Sequence, residues 1–283
     1  MVKLAIRHLS SLNMPVTTAA QNGVRYLHHY QRFSGDWPGY LEQTLRDRVI
    51  YLPSPSRFND PWDCKPWFDL DALDTTSVRE EHIAWFLAHA NPRQRGDEEE
   101  MRTRPGLLKA MVTQCSRALA EQIASEYRVY CLTPNDDNLL MWSHYAEDHT
   151  GVCLQFDVRM EPFIGAFKIS YRRTLPTSTL PEYGNDAMVK ALLTKSDVWN
   201  YEHEFRIVAK DQRAPVQGMP TAINGLVRIA ETALVRVTIG CRCAESDRIV
   251  EMVQRHQPRV SVRQANRHPH RYGIGYTTLH DGQ

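Results

Sequence analysis

DVWNYEHEFRIVAKD, residues 197–211, is the stretch on which the fold turns. As a strand it sends Tyr201, His203, Phe205 and Ile207 to one face and Glu202, Glu204 and Arg206 to the other, because successive side chains alternate. Two acids so spaced lie roughly 7 Å apart, near enough to act on one bound molecule. Charged side chains mostly face water, so the same pattern also fits the wet side of an ordinary antiparallel strand. The choice depends on whether other segments converge on these acids.

The chain has 34 Lys and Arg against 33 Asp and Glu, so no global field draws it to nucleic acid or membrane. The stretch RHQPRVSVRQANRHPHR (255–271) is locally basic and keeps nucleic acid as a candidate partner. No run approaches the ~20 apolar residues of a membrane span, and Arg7 and His8 interrupt what would be a signal peptide's apolar stretch. Cys64, Cys115, Cys131, Cys153, Cys241 and Cys243 are scattered, and the Cys-x-Cys pair matches no zinc spacing. The expectation is a reduced, cytoplasmic protein with free thiols and no membrane contact. His144 with His149 and His268 with His270 are weak pairs, so no metal is expected.

Residues 1–22 read as a polar N-terminal extension ahead of a single domain over 23–283. GVRYLHHYQRF (23–33) is expected as a strand and GYLEQTLRDR (39–48) as a helix presenting Leu41 and Leu45. VIYL runs into FNDPWD (58–63), where Pro61 forbids a regular element and Asn59 and Asp60 fit a turn that caps its own backbone. Apolar residues at helical spacing mark an insertion at about 76–127, with the charged stretch 91–104 as a solvated loop or helix face. Strands are expected at 128–133, 152–158 and 166–172. Helices are expected from Leu139, capped by Asp136, Asp137 or Asn138 and closed by Gly151, and over 181–197. ALVRVTIG, the helix AESDRIVEMVQRH and two strands complete the chain. Strands and helices mix without strict alternation, which indicates an α+β fold.

No phosphate loop, dinucleotide glycine fingerprint or nucleophile elbow is present. Three motifs stand in order: FNDPWD (58–63), DDNLLMWSHYAEDHTGVCLQFD (136–157) and WNYEHEFRI (199–207). In this series the chain resembles a bacterial and phage domain-of-unknown-function family, number 2971. That family shows an Asn-Asp-Pro turn, a Met-Trp-x-x-Tyr helix with a following His-x-Gly, and a Tyr-Glu-x-Glu-x-Arg strand. The likeness covers about residues 25–210 and supplies no role.

The layout is also similar to the ADP-ribosyltransferase superfamily, and this second resemblance implies a split β-sheet core and NAD as co-substrate. It places the first-strand contact on His28, His29 or Arg25. The middle contact falls on Thr133, Ser143 or Tyr145, and catalysis on Glu204 with Glu202. Trp142 or Tyr145 would stack on nicotinamide, and Arg206 would hold a phosphate or neutralise the acids. There is no Ser-Thr-Ser stretch. The implied acceptor is a protein or nucleic acid. The implied setting is a toxin or antiphage defence effector with a defence or antitoxin partner. The rival readings are an NAD glycohydrolase, a phosphotransferase acting on RNA 2′-phosphates with NAD, and a non-catalytic nucleotide-sensing module. A nuclease holding magnesium on Asp60, Asp63, Asp136 and Asp137 is a further alternative.

Overall fold

The opening stretch divides in two. Asp197–Glu202 winds into a 3₁₀ turn, His203 takes a left-handed conformation (φ 47°), and the strand begins only at Phe205. Neither Glu202 nor Glu204 therefore sits on the strand, which corrects the sequence expectation. The computed structural model describes residues 16–89, 98–212 and 219–282.

In chain order the principal elements begin with β1 (Tyr26–Gln31), α1 (Trp37–Asp47), α2 (Thr76–His89), α3 (Glu98–Thr103) and α4 (Pro105–Glu126). β2 (Tyr127–Leu132), α5 (Leu139–Tyr145), β3 (Val152–Asp157), α6 (Asn185–Leu193) and β4 (Phe205–Asp211) follow. The chain ends with β5 (Leu234–Ile239), α7 (Ser246–His256), β6 (Ser261–Arg267) and β7 (Ile274–His280). Five strands form one sheet in the order β1-β3-β5-β6-β7, antiparallel except for the parallel β5–β6 pair that α7 connects. A second sheet centres on β4, which pairs antiparallel with β2 and with Phe167–Lys168 and parallel with Thr221–Ala222. The sheets meet where His28 and Thr133 exchange backbone hydrogen bonds of 2.7 and 2.9 Å.

Alternation along β4 feeds two cores. Phe205, Ile207 and Ala209 join the cluster that also holds Leu41, Leu45, Phe156 and the apolar stripe of α7. Val208 points the other way, into a second cluster with Leu108, Val112, Leu119 and Ile123 of α4. Those four recur on one face of the helix, as the spacing of the insertion predicts. The insertion is thus the cover of the second sheet's outer face. Of the charged stretch read as solvated, 91–97 lies outside the described residues, while α3 buries Met101 completely. Residues 1–15 are likewise outside. Val16, Thr18 and Ala19 are buried, so the end of the expected extension belongs to the core.

Gly151 does not act as a helix cap. α5 ends at Tyr145, and Glu147, Asp148 and His149 make the left-handed turn. A Cβ at Gly151 would lie 2.2 Å from the Gln31 carbonyl oxygen, so glycine is needed for the close approach of β1. Among the described residues no helix is long and apolar enough to cross a membrane.

Candidate functional site

Where the two sheets diverge, a cleft of about 320 Å³ opens. β1 supplies His28 and His29 to its wall, α5 supplies Met141, His144 and Tyr145, and its floor is an ion cluster. α6 runs without a loop into Thr194–Ser196, which delivers Lys195. The 3₁₀ turn then folds back so that Glu202 and Glu204 flank the ammonium, at 2.5 and 3.1 Å from Nζ. Arg206, one step along β4, donates Nε to Glu204 Oε1 at 2.7 Å and Nη2 to Glu204 Oε2 at 3.1 Å. Its other side grips Asp63 in two parallel bonds of 3.0 and 2.6 Å, and Nη1 also donates to the Leu192 carbonyl at the end of α6. Arg206 is fully buried, and Asp63, Glu202 and Glu204 are nearly so.

The two acids are not equivalent. An ionised carboxylate offers about four lone-pair positions. Glu204 spends them on the two Arg206 nitrogens, Lys195 and the Cys131 thiol. Glu202 accepts only from Tyr145, whose hydroxyl donates to Oε1 at 2.6 Å, and from Lys195 on Oε2. Among the described residues Glu202 therefore keeps open acceptor positions, and it lines the cleft. The electrostatics separate them further. Burial disfavours the charge on both, but Arg206 and Lys195 overcome it at Glu204 and hold its pKa low. At Glu202 burial, with Glu204 beside it, outweighs Lys195 and raises the pKa. Such divergence between neighbouring carboxyls is how one site keeps one acid ionised and another able to take a proton.

Three carboxylates face two cations here, an excess of one negative charge out of bulk water. Burial opposes the charge on Lys195, yet Glu204 and Glu202 raise its pKa, so the amine stays protonated. A lysine held that way cannot act as a nucleophilic amine, which needs a depressed pKa. Cys64 and Cys131 border the cluster, but burial pushes both thiols up and leaves them unreactive.

The imidazoles of β1 are neutral hydrogen-bonding groups. Burial lowers the pKa of His28, and brings that of His29 down to about 4. Nδ1 faces the Thr133 carbonyl at 3.3 Å in His28 and the Cys131 carbonyl at 2.9 Å in His29. A carbonyl demands a donor, so the ring proton sits on Nδ1 and Nε2 becomes the acceptor. Among the described residues Nε2 of His28 is buried without a hydrogen-bond partner.

Of the residues singled out in the sequence, the cleft unites His28, His29, Asp63, His144, Tyr145, Glu202 and Glu204. The others lie elsewhere. Arg25 is exposed and reaches back to Asp157 at 3.5 Å. Trp142 is buried completely, its indole donating to the Asp136 carbonyl at 2.8 Å with Tyr30 edge-on, and cannot stack on a ligand. Thr133 is buried and accepts from the Asn135 amide, and Ser143 donates to Asp148; neither lines the cleft. Arg206 is saturated by carboxylates and has no donor for a phosphate, so neutralisation is its role. The four aspartates of the magnesium reading are dispersed: Asp60 caps the Trp62 amide, Asp63 holds Arg206 and Asp136 holds Arg263. Among the described residues no group of three or more His, Cys, Asp or Glu could hold a metal ion.

Sequence reasoning missed Lys195 and the function of Asp63. Lys195 looks like the polar end of an amphipathic helix, and only the two-residue recurrence of opposite charges at Glu204 and Arg206 hints that a buried ion network exists.

Residues 141–207 match the model of a protein family of unknown function, DUF2971. The DUF2971 segment begins in α5 and ends in β4, and carries Tyr145, Lys195, Glu202, Glu204 and Arg206. Asp63, the remaining member of the cluster, is outside it. No curated protein and no solved structure matches the chain.

Proposed function

We propose that the protein cleaves the nicotinamide–ribose bond of NAD and transfers ADP-ribose to an acceptor, with Glu202 as the acid that meets the ribose. The supporting observation is the cleft itself, in which β1 imidazoles, Tyr145 and Glu202 converge over a cluster with one negative charge to spare. Bond cleavage develops positive charge on the ribose. A preorganised carboxylate favours that state over the ground state and needs no reorganisation. Glu202 has acceptor positions for a ribose hydroxyl, while Glu204 has none. Glu204, Lys195 and Arg206 position and bias Glu202. Nε2 of His29 suits a hydroxyl of the second ribose. An effector of toxin or antiphage type, neutralised by a partner protein, would be consistent with such an activity.

The test is nicotinamide release from NAD, with and without acceptors. Glu202→Gln is expected to lower the rate by about 10²–10³-fold, the usual cost of one preorganised electrostatic group. Equal release by wild type and Glu202→Gln would remove the assignment. The saturation of Glu204 and Arg206 favours a second reading, a nucleotide-binding module that has kept its scaffold without turnover. A rise in melting temperature with NAD and no release would select it.

A further inference from the structure

The ion cluster is reached from a second side. A groove of about 480 Å³ shares Asn59, Asp63 and Lys195 with the cleft but is otherwise walled by the FNDPWD turn and by residues 172–176 and 194–199. Its rim carries Lys65, Arg172 and Arg173, all exposed. Among the described residues none forms an ion pair or hydrogen bond with these three side chains. Of the acids that line the groove, Asp60 accepts from the Trp62 amide and Asp63 holds Arg206. Beside the cations stand two indoles. Trp62 is 66% exposed, and Trp199 is half-buried with the Lys195 ammonium 5.1 Å from its ring.

Unpaired cations beside accessible flat rings are the means by which single strands are held, phosphates on the charges and bases on the rings. A duplex keeps its bases stacked and offers no free face to an indole. A protein interface is depleted of charge at its buried centre, whereas this groove has the buried Asp63 and Lys195 at its inner end.

We propose that this groove binds single-stranded nucleic acid and presents it as the acceptor at the shared end of the ion cluster. The chemical role rests on the NAD reading above, whereas the binding does not. In the transfer an acceptor oxygen or nitrogen forms its bond to ribose C1′ as the C1′–nicotinamide bond breaks. Nicotinamide leaves neutral with the bonding pair, and the acceptor's proton passes to the Glu202 carboxylate.

The experiment is fluorescence anisotropy without NAD, using short labelled single-stranded RNA and DNA, the matching duplex and a polyglutamate peptide. Single strands are expected to bind about tenfold or more tightly than duplex or peptide, since each stacked base contributes roughly that factor. Three phosphate contacts give a slope of log affinity on log salt of about −2. Trp62→Ala, and Arg172→Glu with Arg173→Glu, should each weaken binding about tenfold with unchanged circular dichroism. Arg267→Glu with Arg271→Glu, at the end of β6 and on the turn that follows it, should leave it intact. Absence of binding, equal binding of duplex or peptide, or loss only in the β6–β7 variant overturns the proposal. A protein that binds the strands but releases no nicotinamide keeps the groove and sinks the NAD reading; release without binding does the reverse.

Discussion

Arg206 joins Asp63 to Glu204 in a place water does not reach. Removing one partner of a buried pair leaves the others charged and unsolvated, at about 3–5 kcal/mol. Arg206→Met, read by urea denaturation, is expected to lose stability in that range, whereas an exposed pair such as Arg46–Asp47 would lose little. Acid should reveal the asymmetry of the two glutamates. The folded pKa of Glu204 is depressed to about 2, so its contribution is full above the unfolded value and fades as pH falls from about 5 to about 2. Glu202 is raised, so its contribution runs the other way, present at low pH and lost as pH rises through its folded pKa. Glu204→Gln should therefore be destabilised against wild type at pH 7, with the gap closing near pH 2–3 in paired urea melts. A constant gap would mean that Glu204 is not ionised in the fold. The pairing of Glu204 with Arg206 was legible two residues apart in the sequence. Asp63 was not, because nothing in FNDPWD distinguishes an aspartate that caps a turn from one that anchors a distant guanidinium.

The site's acids depend on how α5 meets the 3₁₀ turn. Asn138 does two things: its Oδ1 accepts from the Leu140 and Met141 amides, and its Nδ2 donates to the Tyr201 carbonyl at 2.9 Å. Capping accounts for about 1 kcal/mol. Asn138→Ala should thus lower stability by about 1–2 kcal/mol, counting the second bond at its usual net value. If Glu202 acts on NAD, nicotinamide release should drop by more than thermal melting alone explains, because Tyr145 and Glu202 then lose their common tether. Helices α1, α4 and α7 could be read from apolar spacing because each lays a stripe on a core. The 197–202 segment could not. DVWNYE alternates like a strand, and the bonds that wind it, such as the His203 amide to the Asn200 carbonyl at 3.1 Å, are local and leave no period.

At the level of the whole molecule, β4 is common property. Ile207 and Val208 are neighbours in the chain yet belong to different cores, so neither half can loosen without disturbing the strand between them. Ile207→Ala is expected to cost about 2–5 kcal/mol while leaving one unfolding transition, seen alike by far-ultraviolet and near-ultraviolet circular dichroism. Two separated transitions would refute the coupling. Mixed α+β architecture was readable from the disorder of strand and helix order, whereas a split sheet was implied only by resemblance, and the bridge that joins the two main sheets at His28 and Thr133 is tertiary and leaves no mark in the sequence.

Asp63 leaves the ribosome 143 residues ahead of the guanidinium it holds. Until residue 195 has been added the floor of the cleft has no lysine and neither glutamate, and Arg206 completes it last. Chain order alone therefore keeps every shortened translation product incomplete until residue 206 has emerged.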